Sequence, residues 1–167
     1  KIEEITKLAK RKKLLLIEDA AESLGSHVNK KMIGTFGDMA IFSFAGNKVM
    51  TTGEGGAIVT DSKFYSERLK LIRSHGRSEN SSYFSSIDNP NYISLGYNWR
   101  MSSITAALAI SQLHKLDKLI KLRRKNAHFI SSKLSKFSEI EVPNEPVGNY
   151  HVFQLYSIIL KTSKLRN

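Results

Sequence analysis

A single lysine, Lys48, stands between a short apolar run, Met39 to Phe44, and a turn of small residues, Thr51-Thr52-Gly53-Glu54-Gly55-Gly56. Ala57-Ile58-Val59-Thr60 then restarts a strand pattern. An amine on a backbone anchored by strands on both sides, with little bulk around it, suits covalent chemistry, because a Schiff base needs a fixed, partly desolvated nitrogen. A solvated hairpin displays a lysine in the same way, so other functional groups must decide between the two. Upstream, Leu14-Leu15-Leu16-Ile17 ends in Glu18-Asp19-Ala20-Ala21-Glu22. A carboxylate at the C-terminal end of a buried strand stands where open α/β sheets place their ligand sites. An isolated aspartate otherwise serves as a helix cap or ion-pair partner.

The elements that must position these groups follow from periodicity. Ile2, Ile5, Leu8 and Ala9 recur at helical spacing and predict an amphipathic helix over 2–12. It feeds into a buried strand over 14–17, half of a βαβ unit, so the chain reads as the central portion of a longer protein. Between Gly25 and Gly37, Val28 and Met32-Ile33 flank an Asn29-Lys30-Lys31 turn, a short hairpin in which Gly34 and Gly37 read as turn residues. Asp61 and Ser62 are candidate N-caps for a helix over 63–74. Residues 76–96 are a long polar connection in which Tyr83, Phe84 and Tyr92 read as anchors. Ser102-Ser103 can cap a helical pattern that continues to Leu134, long enough for two helices or one kinked helix. Pro143 and Pro146 break it, and 151–160 reads as a strand.

Composition bounds the partners. The 167 residues, 41% hydrophobic, suffice for one core of ordinary domain size. No stretch approaches the roughly 20 apolar residues of a membrane span, and no apolar h-region follows the N-terminus. Cysteine is absent, which excludes disulfides and thiolate metal sites and fits a cytoplasmic protein. The five histidines are scattered with no i, i+4 pair, so no metal site is expected. A net charge of +11, from 26 Lys+Arg against 15 Asp+Glu, is compatible with nucleic acid or an anionic surface. The lysines, however, spread along helix-like segments instead of forming one block, and neither nucleic acid nor membrane is expected as a partner.

The strand-end carboxylate, Ser43, Lys48 and the Thr-Thr-Gly-Glu-Gly-Gly turn together resemble the DegT/DnrJ/EryC1/StrS family of pyridoxal phosphate (PLP)-dependent nucleotide-sugar aminotransferases. The likeness continues through Arg73-Ser74-His75-Gly76, Gly96-Tyr97-Asn98-Trp99-Arg100-Met101-Ser102, Ala106-Ala107-Leu108 and Gln112 to Asp117. It implies the type I PLP-dependent transferase (aspartate aminotransferase-like) fold. That is an α/β architecture with a mixed, mostly parallel sheet flanked by helices, present here as a partial domain. Residues 1–115 would be the C-terminal part of the large PLP-binding domain, and 116–167 a bridging helix and the start of the small C-terminal domain.

The same resemblance implies PLP as cofactor. Lys48 matches the Schiff-base lysine, which later acts as the base moving the α-proton. Asp19 matches the partner of the protonated pyridine nitrogen, which lets the ring act as an electron sink. Ser43 matches a phosphate ligand. Glu22 stands where many relatives have glutamine near the ring hydroxyl, and when ionised it cannot donate a hydrogen bond. Asn98 matches an asparagine that reaches the phosphate from a neighbouring subunit, which implies a homodimer with shared sites. Arg100 is placed near the anionic part of the substrate, with a structural ion pair as the alternative. The implied reaction transfers an amino group from a donor such as glutamate to a 4-keto or 3-keto deoxy sugar nucleotide.

Related sugar 3-dehydrases have histidine where this chain has Lys48, so the lysine favours amine transfer. Many relatives have a histidine and small residues before the lysine, whereas Ala45-Gly46-Asn47-Lys48 is nearer to the pattern of perosamine synthases, which act on a GDP-linked 4-keto-6-deoxy sugar and usually have an aromatic residue at the place of Ala45. Two readings from other classes compete. One is a non-catalytic relative that serves as an interaction or regulatory protein. The other is a basic nucleic-acid-binding module, supported by charge alone.

Overall fold

The computed structural model describes residues 1–77 and 92–163. In chain order it holds α1 (Ile2–Lys12), β1 (Ile17–Asp19), β2 (His27–Val28), β3 (Lys31–Met32), β4 (Met39–Ser43), β5 (Gly56–Val59), α2 (Lys63–Arg73), α3 (Ser103–Leu113), α4 (Leu116–Leu134), β6 (Ile140–Glu141), β7 (Asn149–Tyr150) and β8 (Ile159–Leu160). The site sheet has the order β1-β4-β5. β1 and β4 run parallel, with Ile17 opposite Met39 and Asp19 opposite Ile41, while β5 is antiparallel to β4. The strand expected over 14–17 thus begins at Ile17 and runs to Asp19. Only there does β4 offer partners, and Leu14 and Leu15 remain exposed.

Strand alternation sorts the side chains by face. Glu18, Ala40 and Phe42 are buried on one side, whereas Ile17, Asp19 and Ile41 are exposed on the other. The buried side joins Ala20, Phe44, Val49 and Met50 to Leu116 and Ile120 of α4 and to Val152. One core therefore draws on both sides of position 115.

The helices begin where their capping chemistry allows. α1 carries Glu3 and Glu4 in its first turn and Lys10, Arg11 and Lys12 in its last, which complements the helix dipole. Of the two candidate caps for α2, Ser62 takes the role, accepting from the Tyr65 N–H. Ser102 caps α3 by accepting from the Thr105 N–H at 3.1 Å. The long helical pattern resolves into two helices that break at His114-Lys115.

The hairpin of β2 and β3 turns on Asn29 (φ 48°) and Lys30 (φ 67°). Both are left-handed, the geometry that matches the twist of a two-residue hairpin. β2 also pairs antiparallel with β7, where His27 meets the ring of Tyr150 at 4.5 Å. Tyr83 and Phe84 lie outside the described residues. Tyr92 bridges to Arg77, whose guanidinium stands 5.7 Å from the Tyr92 ring centre.

The strand expected over 151–160 is largely absent: β8 is confined to Ile159–Leu160, paired with β6, and 151–158 is irregular. Phe153 adopts φ 49°, which interrupts an extended run. Arginines of α4 also occupy carbonyls that a neighbouring strand would use. Arg123 donates to the carbonyls of Phe153 (3.4 Å) and Gln154 (3.1 Å), and Arg124 donates to that of His151 (2.6 Å).

Arg124 is the centre of this attachment. It forms a bidentate pair with Glu145 at 2.5 and 3.1 Å and lies 3.9 Å over the Tyr150 ring. Glu145 also accepts from the His151 N–H at 2.6 Å. The hydrogen bond from Arg124 is the main reason the Glu145 carboxyl titrates below its ordinary 4.5, against the opposing effect of burial. Burial holds His151 below its ordinary 6.5, opposed by Glu145 and reinforced by Arg124.

Both shifts have the same sign for stability. The contribution of Glu145 is complete above its unfolded value and is lost as pH falls through its lowered folded value. That of His151 is lost as pH falls from its unfolded value toward the lowered folded one. Arg124→Met is expected to destabilise by about 2 kcal/mol, the scale of a charge-assisted hydrogen bond left unmade. Glu145→Gln should flatten the loss of stability in acid. Urea unfolding across a pH series checks both, and equal acid limbs for wild type and Glu145→Gln would reject the assignment.

Candidate active site at the carboxyl ends of two parallel strands

The loop after β4 holds Lys48 from three directions. At its base, the Phe44 N–H donates to the Gly55 carbonyl and the Thr52 N–H to the Phe44 carbonyl, both at 2.9 Å, so the β4–β5 ladder continues one step into the loop. Inside, the Lys48 N–H closes a turn onto the Ala45 carbonyl at 3.0 Å, while Val49 and Met50 are buried in the core. From a distant part of the chain, the buried side chain of Gln154 bonds both peptide groups that flank the lysine. Its Oε1 accepts from the Val49 N–H at 2.7 Å and its Nε2 donates to the Asn47 carbonyl at 2.6 Å. The lysine side chain is only 13% exposed, on a backbone with little freedom to move.

The amine of Lys48 meets the carboxylate of Glu22, which lies on the loop after β1. The contact joins the loops at the carboxyl ends of the two parallel strands, where open α/β sheets hold ligands. Glu22, read from the resemblance as a neighbour of a ring hydroxyl, is thus the ion-pair partner of the lysine in this structure. Asp19 ends β1 on the exposed face, with its Oδ1 accepting from the Ala21 N–H at 3.2 Å. Ser43 lies on the same face two residues beyond Ile41, the partner of Asp19, and its hydroxyl accepts from the Ala45 N–H at 3.3 Å. The amine therefore pairs with Glu22, while Asp19 and Ser43 share the exposed face at the carboxyl ends of the strands. Glu22 also borders a cleft of about 320 Å³, with Ser23, Ser26, His151 and Gln154, which Lys48, Asp19 and Ser43 do not line.

Asn98 and Arg100 lie on a separate segment, 92–102, that returns along the end of α2. Asn98 bridges to Ser74, the Trp99 N–H donates to the Arg73 carbonyl at 2.9 Å, and Arg100 donates to the Ser74 hydroxyl at 3.2 Å. This segment approaches the glycine-rich turn through Met101, whose methyl group lies 3.4 Å from the place a Cβ on Gly55 would take. Asn98 is exposed.

Two further residues shape the site. Glu18, next to Asp19 but on the opposite face, is buried and accepts from the N–H groups of Gly34 (2.8 Å), Phe36 (2.6 Å) and Gly37 (2.7 Å). It fixes the connection that leads into β4. The turn needs Gly34, which has φ +95° and whose Cβ would stand 2.5 Å from the Phe42 ring. Gln154 is the second. Its signal in the sequence is one amide side chain inside the apolar run Val152 to Leu155.

Residues 1–167 match the DegT/DnrJ/EryC1/StrS aminotransferase family along their whole length. The chain belongs to this family. The GDP-perosamine synthase of Escherichia coli O157:H7 is 36% identical over 165 residues, covering 99% of this chain and 43% of that enzyme. The fold matches the structure of Helicobacter pylori PseC, an aminotransferase involved in pseudaminic acid biosynthesis, with a TM-score of 0.88 and 30% identity over 99% of this chain and 43% of that one. The E. coli GDP-4-keto-6-deoxy-D-mannose-3-dehydratase, solved with bound hydrated PLP, matches with a TM-score of 0.83 and 32% identity over 96% of this chain and 43% of that one. This chain thus spans less than half the length of these family members. The family is one of PLP-dependent aminotransferases, and the α/β fold is a partial domain of theirs. Among the described residues, no helix is long and apolar enough to cross a membrane.

Proposed function

We propose that this chain supplies the lysine-bearing part of a PLP-dependent aminotransferase. The reaction would move an amino group from an amino acid donor such as glutamate to a 4-keto or 3-keto deoxy sugar nucleotide. The observation that carries this reading is the Lys48 side chain, 13% exposed and ion-paired through its amine, on a loop fixed at the carboxyl ends of β1 and β4. The names of its relatives, a GDP-perosamine synthase among them, support a nucleotide sugar as the acceptor.

The donor set fits PLP group by group. Lys48 offers an amine to the aldehyde, Asp19 a carboxylate to the ring nitrogen, and Ser43 a hydroxyl to the phosphate, and Asp19 and Ser43 share one open face. When bound, the cofactor supplies an electron sink for the bond broken at the α-carbon of the donor. Lys48 would hold the cofactor through its amine and would move the proton of that α-carbon. Asp19, an acceptor when ionised, keeps the ring nitrogen protonated. Glu22 pairs with the free amine, and Arg100 would attract the anionic part of the sugar nucleotide.

Asn98 would serve the phosphate of a second copy in a homodimer with shared sites. Exposed Leu95, Trp99 and Ile104 around it are the apolar surface such a dimer would cover. In this reading residues 1–115 belong to the large domain and 116–167 to the bridging helix and the start of the small one. A cytoplasmic setting goes with it.

The test is covalent trapping. The complete gene product is incubated with PLP, reduced with borohydride and digested, and the modified lysine is located by mass. Label concentrated on Lys48 is the expected result. Label scattered over many lysines would overturn the reading in favour of a non-catalytic relative.

A further inference from the structure

Gln154 is separated from Lys48 by more than a hundred residues, yet its buried amide bonds the two peptide groups on either side of the lysine. The arrangement uses the side chain fully in one orientation: the oxygen faces an N–H and the nitrogen faces a carbonyl. Gln154 is itself held from behind, since Arg123 of α4 donates to the carbonyls of Phe153 and Gln154, and Val152 beside it is 1% exposed in the core. A rigid path therefore runs from α4 through the 152–154 backbone to the peptide groups of Asn47 and Val49. Other loop bonds, at Phe44, Thr52 and Lys48, fix its base and one turn. Among the described hydrogen bonds, those of Gln154 are the ones that fix both neighbours of the lysine.

We propose that Gln154 is a positioning residue for Lys48: its amide clamps the flanking peptide groups and aims the amine, tying the aim of the lysine to α4. The proposal rests on the reading of Lys48 as the cofactor-binding amine. Its chemical basis is that a reacting nitrogen displaced by about 1 Å can lose on the order of 100-fold in rate while binding is little affected.

Two variants of the complete gene product separate this role from a purely structural one. Gln154→Met keeps length and burial but removes both bonds. Gln154→Glu keeps an acceptor for the Val49 N–H but, when ionised, cannot donate to the Asn47 carbonyl. With PLP loaded, both are expected to be trapped at Lys48 with reduced visible circular dichroism of the bound cofactor. kcat should fall by about 10- to 100-fold in Gln154→Met, with KM for the amino donor within about threefold of wild type and a smaller loss in Gln154→Glu. Without cofactor, hydrogen exchange at the Val49 amide should speed up in Gln154→Met and stay slow in Gln154→Glu.

Wild-type circular dichroism and kcat in Gln154→Met would overturn the proposal. So would a loss of kcat accompanied by an equal rise in KM and a global loss of exchange protection. The reading of Lys48 fails in a different way, through absence of label at Lys48 in the wild-type protein. In that case exchange at Val49, which needs no cofactor, still decides whether Gln154 fixes the loop.

Discussion

Lys48→Ala should abolish transamination, with kcat lower by about 10³-fold or more and no borohydride-trapped label at position 48. The size follows from two losses: covalent capture of the cofactor and a positioned base, the second alone being worth about 10²–10⁴-fold. Lys48→Arg separates chemistry from electrostatics. A guanidinium keeps the positive charge beside Glu22, but it stays protonated in proteins and cannot act as a nucleophile. This variant should keep the stability of the wild-type protein and lose as much activity as Lys48→Ala. Single-turnover measurements with an amino donor, alongside mass mapping of the reduced protein, provide the check. Activity of Lys48→Ala within tenfold of wild type would remove Lys48 from the mechanism. Recovery by Lys48→Arg would make the residue an electrostatic partner of Glu22 only.

The second large effect is on stability, at Glu18. The residue is 6% exposed, and its carboxylate collects three backbone N–H groups at 2.6–2.8 Å from the connection that feeds β4. Glu18→Ala leaves these donors without a partner in a place water reaches poorly. At about 1–3 kcal/mol for each unsatisfied group, with partial relaxation, the expected cost is about 4 kcal/mol, a large fraction of the stability of an ordinary domain. Glu18→Gln keeps one acceptor oxygen, best placed toward Phe36 and Gly37, but turns an N–H toward that of Gly34. It should cost about half as much. Urea unfolding of the complete gene product measures both, and a loss under 1 kcal/mol in Glu18→Ala would show that the connection finds other acceptors. Gly34 and Phe36 should lose exchange protection together, since they share the same carboxylate.

Residue types and their spacing were enough to place α1 over 2–12, the helix from 63 and a hairpin around Asn29-Lys30-Lys31, while the long helical pattern, open to two helices or one kinked helix, was divided by the structure at His114-Lys115. Each of these depends on neighbours within a few positions: apolar residues at helical spacing, a serine cap, or a turn whose two residues accept left-handed backbone. Lys48 as the residue to watch was legible for the same reason, because the strand before it and the glycine-rich turn after it are contiguous in the chain.

Three features were decided by tertiary structure. Glu18 and Asp19 are adjacent carboxylates, and alternation along a strand only says that they point opposite ways. Which one is buried depends on the register with β4, a partner twenty-two residues further on, and on a loop whose N–H groups curl onto Glu18. The segment 151–158 has the composition of a strand, yet Arg123 and Arg124 take its carbonyls and Phe153 turns it aside. The hold on Lys48 comes from Gln154, across a sequence separation of 105 and 107 residues in its two bonds. Local sequence specifies short-range backbone preferences and the chemical type of each side chain. Which buried polar group satisfies which distant peptide is settled only when packing brings the two together and excludes water as the alternative partner.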